Sequence, residues 1–107
     1  MMFENMTLRE KVAQRMMVQI NPDKHKKEFG SLKNFLEEYP VGGIFVGAEI
    51  IRETKNSKEE IKEFIQEYSE ASKYPLLVAA DGECGFGGVR GCHTFGGAIA
   101  IGTAGSE

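Results

Sequence analysis

Cysteine is scarce in this chain: Cys84 and Cys92 are the two among 107 residues. Two are too few for a disulfide scaffold, and their spacing fits no zinc-binding pattern. Free thiols in a reducing compartment are expected, with a disulfide across the glycine-rich loop as the alternative. Long apolar runs are also missing, so no segment has the length needed to cross a bilayer. The N-terminus, Met1-Met-Phe-Glu-Asn-Met-Thr-Leu-Arg-Glu10, carries an acid where a secretory signal has its basic start, and no apolar stretch follows. A cytoplasmic location is therefore expected. Nor is there an excess of positive charge. The net charge is −3, which gives no general attraction to nucleic acid or to an anionic membrane. The local basic cluster Lys24-His25-Lys26-Lys27 reads as a solvated loop.

What is present is the composition of a folded globular chain, 41% apolar and 27% charged, at a length that allows one domain with a modest core. Thr7-Leu-Arg-Glu10 has the form of a capping box, in which Thr7 accepts from the amide three residues on and Glu10 reaches back, so a helix is predicted from about Leu8. It should hand over to a short strand near Met16-Met-Val-Gln-Ile20, which Asn21-Pro22-Asp23 then ends. Leu32, Phe35 and Leu36 are spaced for a helix over 31–39, closed by Pro40. Val41-Gly-Gly-Ile-Phe-Val-Gly-Ala48 does not alternate apolar with polar residues and reads as a strand buried on both faces. Gly42 and Gly43 weaken a strand, which points to a close approach or a bulge. Ser57-Lys-Glu-Glu60 is a second capping box. It opens a helix whose stripe is Ile61, Phe64, Ile65, Tyr68 and Ala71. Tyr74-Pro75 ends the connection, and Leu76 to Ala80 is a third strand. Helices between continuous apolar strands imply an α/β fold with a parallel sheet, whose ligands gather at the carboxyl ends of the strands. Asp81 stands at such an end. Thr103-Ala-Gly-Ser106-Glu107 reads as the lead-in to another helix, with Ser106 as cap and Glu107 as first residue. On that pattern a truncated chain is expected.

The loop from Asp81 to Cys92 admits three chemistries. A dinucleotide fingerprint would need a glycine where Arg90 stands, counting from Gly85 through Gly87, and no lysine–hydroxyl pair makes a phosphate loop. No cofactor or metal is indicated. Cys84 with His93 could be read as a nucleophile and its base, but catalytic partners meet in space rather than in sequence, and small buried thiols beside an ordinary loop histidine are the plainer reading. The third is carbohydrate binding. An ionised Asp81 can accept from two sugar hydroxyls at once, Arg90 offers a fork of donors, and the glycines let backbone approach a ligand. A turn or capping role for Asp81 is the alternative.

Stretches in order along nearly the whole chain carry a resemblance. Thr7-Leu-Arg-Glu-Lys-Val-Ala-Gln14, Val41-Gly-Gly-Ile-Phe-Val46, Pro75-Leu-Leu-Val-Ala-Ala-Asp81-Gly-Glu83 and Phe95-Gly-Gly-Ala-Ile-Ala-Ile-Gly-Thr-Ala-Gly105 resemble the N-terminal part of a glycoside hydrolase family 3 barrel, the type of bacterial β-N-acetylglucosaminidases and β-glucosidases. The sequence departs from the family pattern at Gly82, Cys84 and Gly96, and Val89 precedes Arg90 where the family has arginine before valine. The resemblance implies residues 1–107 as about the first three strand–helix units of a TIM-type barrel. It implies a retaining glycosidase acting on terminal β-linked glucosyl or N-acetylglucosaminyl residues, with Asp81 holding sugar hydroxyls and Arg90 as a further substrate-binding candidate. The nucleophile, the acid/base and a lysine–histidine binding pair are implied to lie beyond residue 107. The isolated chain is then expected to be inactive and to self-associate through exposed barrel edges. A small independent sugar-binding or interaction module is the other reading.

Overall fold

The computed structural model describes residues 2–55, 57–81, Cys92 and 102–105. A 3-10 turn at Met2–Asn5 leads into helix α1, Leu8–Ala13. Its capping box forms in full: Thr7 Oγ1 accepts from Glu10 N–H at 3.2 Å, and Glu10 Oε2 accepts from Thr7 N–H at 2.7 Å. Strand β1 follows at Met17–Gln19, then helices α2 (Pro22–Phe29) and α3 (Leu32–Glu38), strand β2 (Gly43–Val46), helices α4 (Ala48–Glu53) and α5 (Lys58–Ala71), and strand β3 (Leu77–Ala80). The expected helices over 31–39 and from Ser57 are therefore present. Ser31 Oγ accepts from Asn34 N–H at 3.1 Å and Ser57 Oγ from Glu60 N–H at 3.3 Å.

The sequence reading differs from the structure at three places. The basic cluster Lys24–Lys27 is not a solvated loop but the middle of α2, and His25 within it is 7% exposed. Asn21 Oδ1 caps this helix by accepting from Lys24 N–H, Pro22 occupies its first turn, and Gly30 ends it in the left-handed region at φ 85°. Helix α4 was not foreseen, and its N-cap, Gly47, has no side chain to signal it. At the tail, where a lead-in was expected, residues 102–104 form a helical turn; the expected cap Ser106 and the helix start at Glu107 lie outside the described residues.

The chain is mixed α/β. Its three strands form one parallel sheet in the order β1-β2-β3, each strand beside the one that precedes it in sequence. That order excludes the doubly wound pattern in which the first strand sits between the second and third. The register pairs Val18 with Ile44 and Ile44 with Val78, and Val46 with Ala80, so these residues share one face of the sheet. The helices cover that face. Ile20, Ile44 and Val46 pack there with Leu32, Phe35 and Leu36 of α3, Ile50 of α4, and Ile61 and Tyr68 of α5, while Phe64, Ile65 and Ala71 complete the α5 stripe at the edge of the cluster.

The opposite face carries Met17, Gln19, Phe45, Leu77 and Ala79 around Gly43. Here Met17 is 47% and Leu77 73% exposed. Cover also fails at β3 on the helix side, where Val78 is 48% exposed although its register partner Ile44 is fully buried. Parallel sheets are ordinarily covered on both faces, whereas Met17 and Leu77 leave this face largely exposed.

Helix α1 lies at the amino end of the sheet. Gly42 N–H donates to the carbonyls of Ala13 (3.2 Å) and Met16 (3.0 Å), and Gln14 Nε2 donates to the Pro40 carbonyl at 2.8 Å. A side chain at Gly42 would run into the Gln14 carbonyl. The approach expected from the glycine pair is therefore the docking of α1 on β2. Glu10 ties the same helix to the chain entering β3: its Oε1 accepts from Lys73 Nζ at 3.1 Å and from the Tyr74 hydroxyl at 3.0 Å. The Thr7 amide first, then Lys73 and Tyr74, hold the Glu10 carboxyl down at about 2. No helix among the described residues is long and apolar enough to cross a membrane.

Candidate functional site

The carboxyl ends of the strands define a rim. Beta-1 delivers Gln19, β2 is followed by Gly47, and β3 is followed directly by Asp81. Because Val46 is in register with Ala80, Asp81 leaves the sheet alongside Gly47. Strand alternation assigns Asp81 to the series Leu77, Ala79, the open face, and the same rule puts Gln19 there through its pairing with Phe45. The Gln19 amide lies across Gly47, so that a methyl group added at Gly47 would collide with it. The open face of the rim thus offers a carboxamide from β1, which both donates and accepts, and an exposed carboxylate from β3.

Asp81 is therefore where the sequence put it, at the end of the third strand, in the open. Arg90 lies outside the described residues, as do Glu83, Cys84 and His93. Cys92 is half-buried with a free thiol. Among the described residues no group of three His, Cys, Asp or Glu side chains converges to hold a metal ion. The largely apolar groove of about 420 Å³ between α1 and the end of α3, lined by Leu8, Val12, Met16 and Tyr39, sits where α1 docks and has no part in the rim.

On the helix side of the rim is a constellation that the sequence reading missed. A polar cavity of about 260 Å³ at the end of β1 is lined by Gln19, Asn21, Lys24, His25 and Glu49. His25 stacks flat on Phe35, with ring centres 4.0 Å apart and 9° between planes, and its Nδ1 lies 2.5 Å from the Tyr68 hydroxyl. The same hydroxyl accepts from Asn21 N–H at 3.0 Å. Burial lowers the affinity of His25 for a proton, with Glu28 acting in the opposite sense and Lys24 reinforcing it. Burial also raises the Tyr68 phenol to about 12. The local signal for α2 was available in Asn21-Pro22 and Gly30, a cap, a first-turn proline and a terminating glycine. The pairing of His25 with a tyrosine on another helix had no such signal.

One carboxylate and one amide on an open rim can bind hydroxyls. They cannot perform retaining glycoside hydrolysis, which requires a nucleophilic carboxylate and a separate acid/base on either side of the bond. No protein-family model matches the chain, and neither a curated protein nor a solved structure does.

Proposed function

We propose that this chain forms the opening strand–helix units of a sugar-hydrolysing parallel barrel, in which Asp81 accepts hydrogen bonds from substrate hydroxyls. The family likeness rests on the four stretches of sequence alone. The observation that carries the reading is the position of Asp81, exposed at the carboxyl end of β3 on the open face of a sheet whose strands follow one another in chain order. In a closed eight-stranded barrel that face becomes the interior and that end the ligand face. Gln19 joins Asp81 on this reading as a second polar contact. The substrate class is a terminal β-linked glucosyl or N-acetylglucosaminyl unit, and the carboxylates that break the bond belong to strands beyond the three described here.

The test is an amide NMR titration of the chain with glucose and with N-acetylglucosamine. The Asp81 amide and the Gln19 side-chain amide should shift with one of the sugars, and Asp81→Asn should abolish the response. A titration in which neither resonance moves would count against the reading. The chain alone should leave aryl β-glycosides intact; hydrolysis that disappears in Asp81→Ala would make Asp81 part of the chemistry and overturn its assignment as a binding residue only.

A further inference from the structure

The Tyr68 side chain is fully buried, so its hydroxyl proton must find an acceptor inside the protein. The hydroxyl oxygen is already an acceptor from Asn21 N–H, and among the described residues the other polar atom it meets is His25 Nδ1. The proton therefore runs from Tyr68 to Nδ1. Nδ1 must then be the bare nitrogen, and His25 is neutral with its own proton on Nε2. A proton added at Nδ1 would face the hydroxyl proton across the same short gap. Tyr68 would have to turn its O–H away from Nδ1 within a buried site, which leaves a donor unpaired.

We propose that His25 and Tyr68 form an acid-released clasp that holds the β1–α2 turn, and with it the carboxyl end of β1, against α5. The clasp bridges elements distant in sequence, and Asn21 at its centre is both the cap of α2 and the residue that leaves the rim beside Gln19. Its setting favours the neutral ring. Burial is the main cause; on α2, Glu28 favours a charged ring and Lys24 opposes it. From α5 the facing acid is Glu67, which is engaged by Lys26 at 3.2 Å. From α3 the contact is the uncharged Phe35 ring, and from α4 Glu49 borders the same cavity. Acidification below the ordinary histidine range thus charges a ring stacked on phenylalanine, breaks its bond to Tyr68, and frees the turn. The inference is independent of the sugar reading.

The experiment is a long-range proton–nitrogen NMR titration of the full chain carrying His93→Gln, which leaves His25 as the single histidine. At pH 7.5 the spectrum should show the Nε2-protonated tautomer. On acidification the ring should titrate with a midpoint below 6.5, and the Asn21 amide should move with the same midpoint. In Tyr68→Phe the Nδ1 resonance should leave its hydrogen-bonded position and the Asn21 amide should no longer follow the ring. A proton on Nδ1 at pH 7.5, a midpoint at or above 6.5, or an Asn21 amide indifferent to the titration would each overturn the proposal. If Tyr68→Phe does not fold, the tautomer and midpoint in the chain that retains Tyr68 decide the matter alone.

Discussion

Replacing Gly42 by alanine tests the docking of α1 more directly than any other single change. The new methyl would strike the Gln14 carbonyl, and it would lie 2.7 Å from the carbonyl carbon and 3.1 Å from Cα of the same residue. All three are backbone atoms, so no side chain can turn aside to make room. Relief requires α1 to move as a body, which breaks the hydrogen bonds from Gly42 N–H to Ala13 and Met16 and strains those from Gln14 Nε2 to the Pro40 and Val41 carbonyls. Overpacking of this kind costs about 1–3 kcal/mol. Lost hydrogen bonds add about 1 kcal/mol each, and the stiffer unfolded chain returns about 0.4–1 kcal/mol. A net loss of about 2–4 kcal/mol is expected. Gly47→Ala is the control, because its obstacle is the free end of the Gln19 side chain, which can swing away; a loss below about 1 kcal/mol is expected there. Urea midpoints for the two variants, at unchanged slope, give the comparison. A Gly42→Ala protein within about 0.5 kcal/mol of the parent would refute the reasoning, because the contact that forbids a side chain would then carry no load.

Other outcomes follow from the same structure. Ile44 is completely buried at the centre of the sheet, so Ile44→Ala should cost about 2–5 kcal/mol in urea unfolding. A loss under about 1 kcal/mol would mean that β2 is not the core strand. The folded state holds the Glu10 carboxyl at about 2 against an ordinary 4.5, so it binds fewer protons than the unfolded chain between those values. The stabilisation from Glu10 is therefore complete above pH 4.5 and is lost as pH falls through about 2. Glu10→Gln should flatten that acid limb of the stability–pH curve, and an unchanged limb would remove Glu10 from the account. The open sheet face should drive self-association, visible in sedimentation velocity and reduced by Leu77→Lys. A chain that stays monomeric at high concentration would contradict this.

The legible parts of this fold are those written in local chemistry. Helix α1 could be read from Thr7 and Glu10 because a capping box is complete within four residues, and α5 from a stripe that repeats over several turns. The strands were found from their continuous apolar runs, within a residue or two at each end. Helix α2 was missed although its cap, proline and glycine were in view, because its buried face is formed by Pro22 and His25 rather than by an aliphatic stripe. Histidine can be buried there only because Phe35 and Tyr68 receive it, and neither is a neighbour in sequence. Helix α4 gave no polar cap to read. At the candidate site, the end of an apolar run placed Asp81. The partnership of Asp81 with Gln19 on one face needed the register between strands, which no single run contains.

The order β1-β2-β3 bears on how the chain acquires its structure. Among the described strands, β2 and β3 each pair with the strand made just before them, so neither waits for a partner synthesised much later. Loop closure is limited to one crossover at a time, which keeps the entropic barrier to each step modest. A nascent chain leaving the ribosome could add each strand and its helices to a sheet already begun, with α1 waiting at the amino end to receive Gly42.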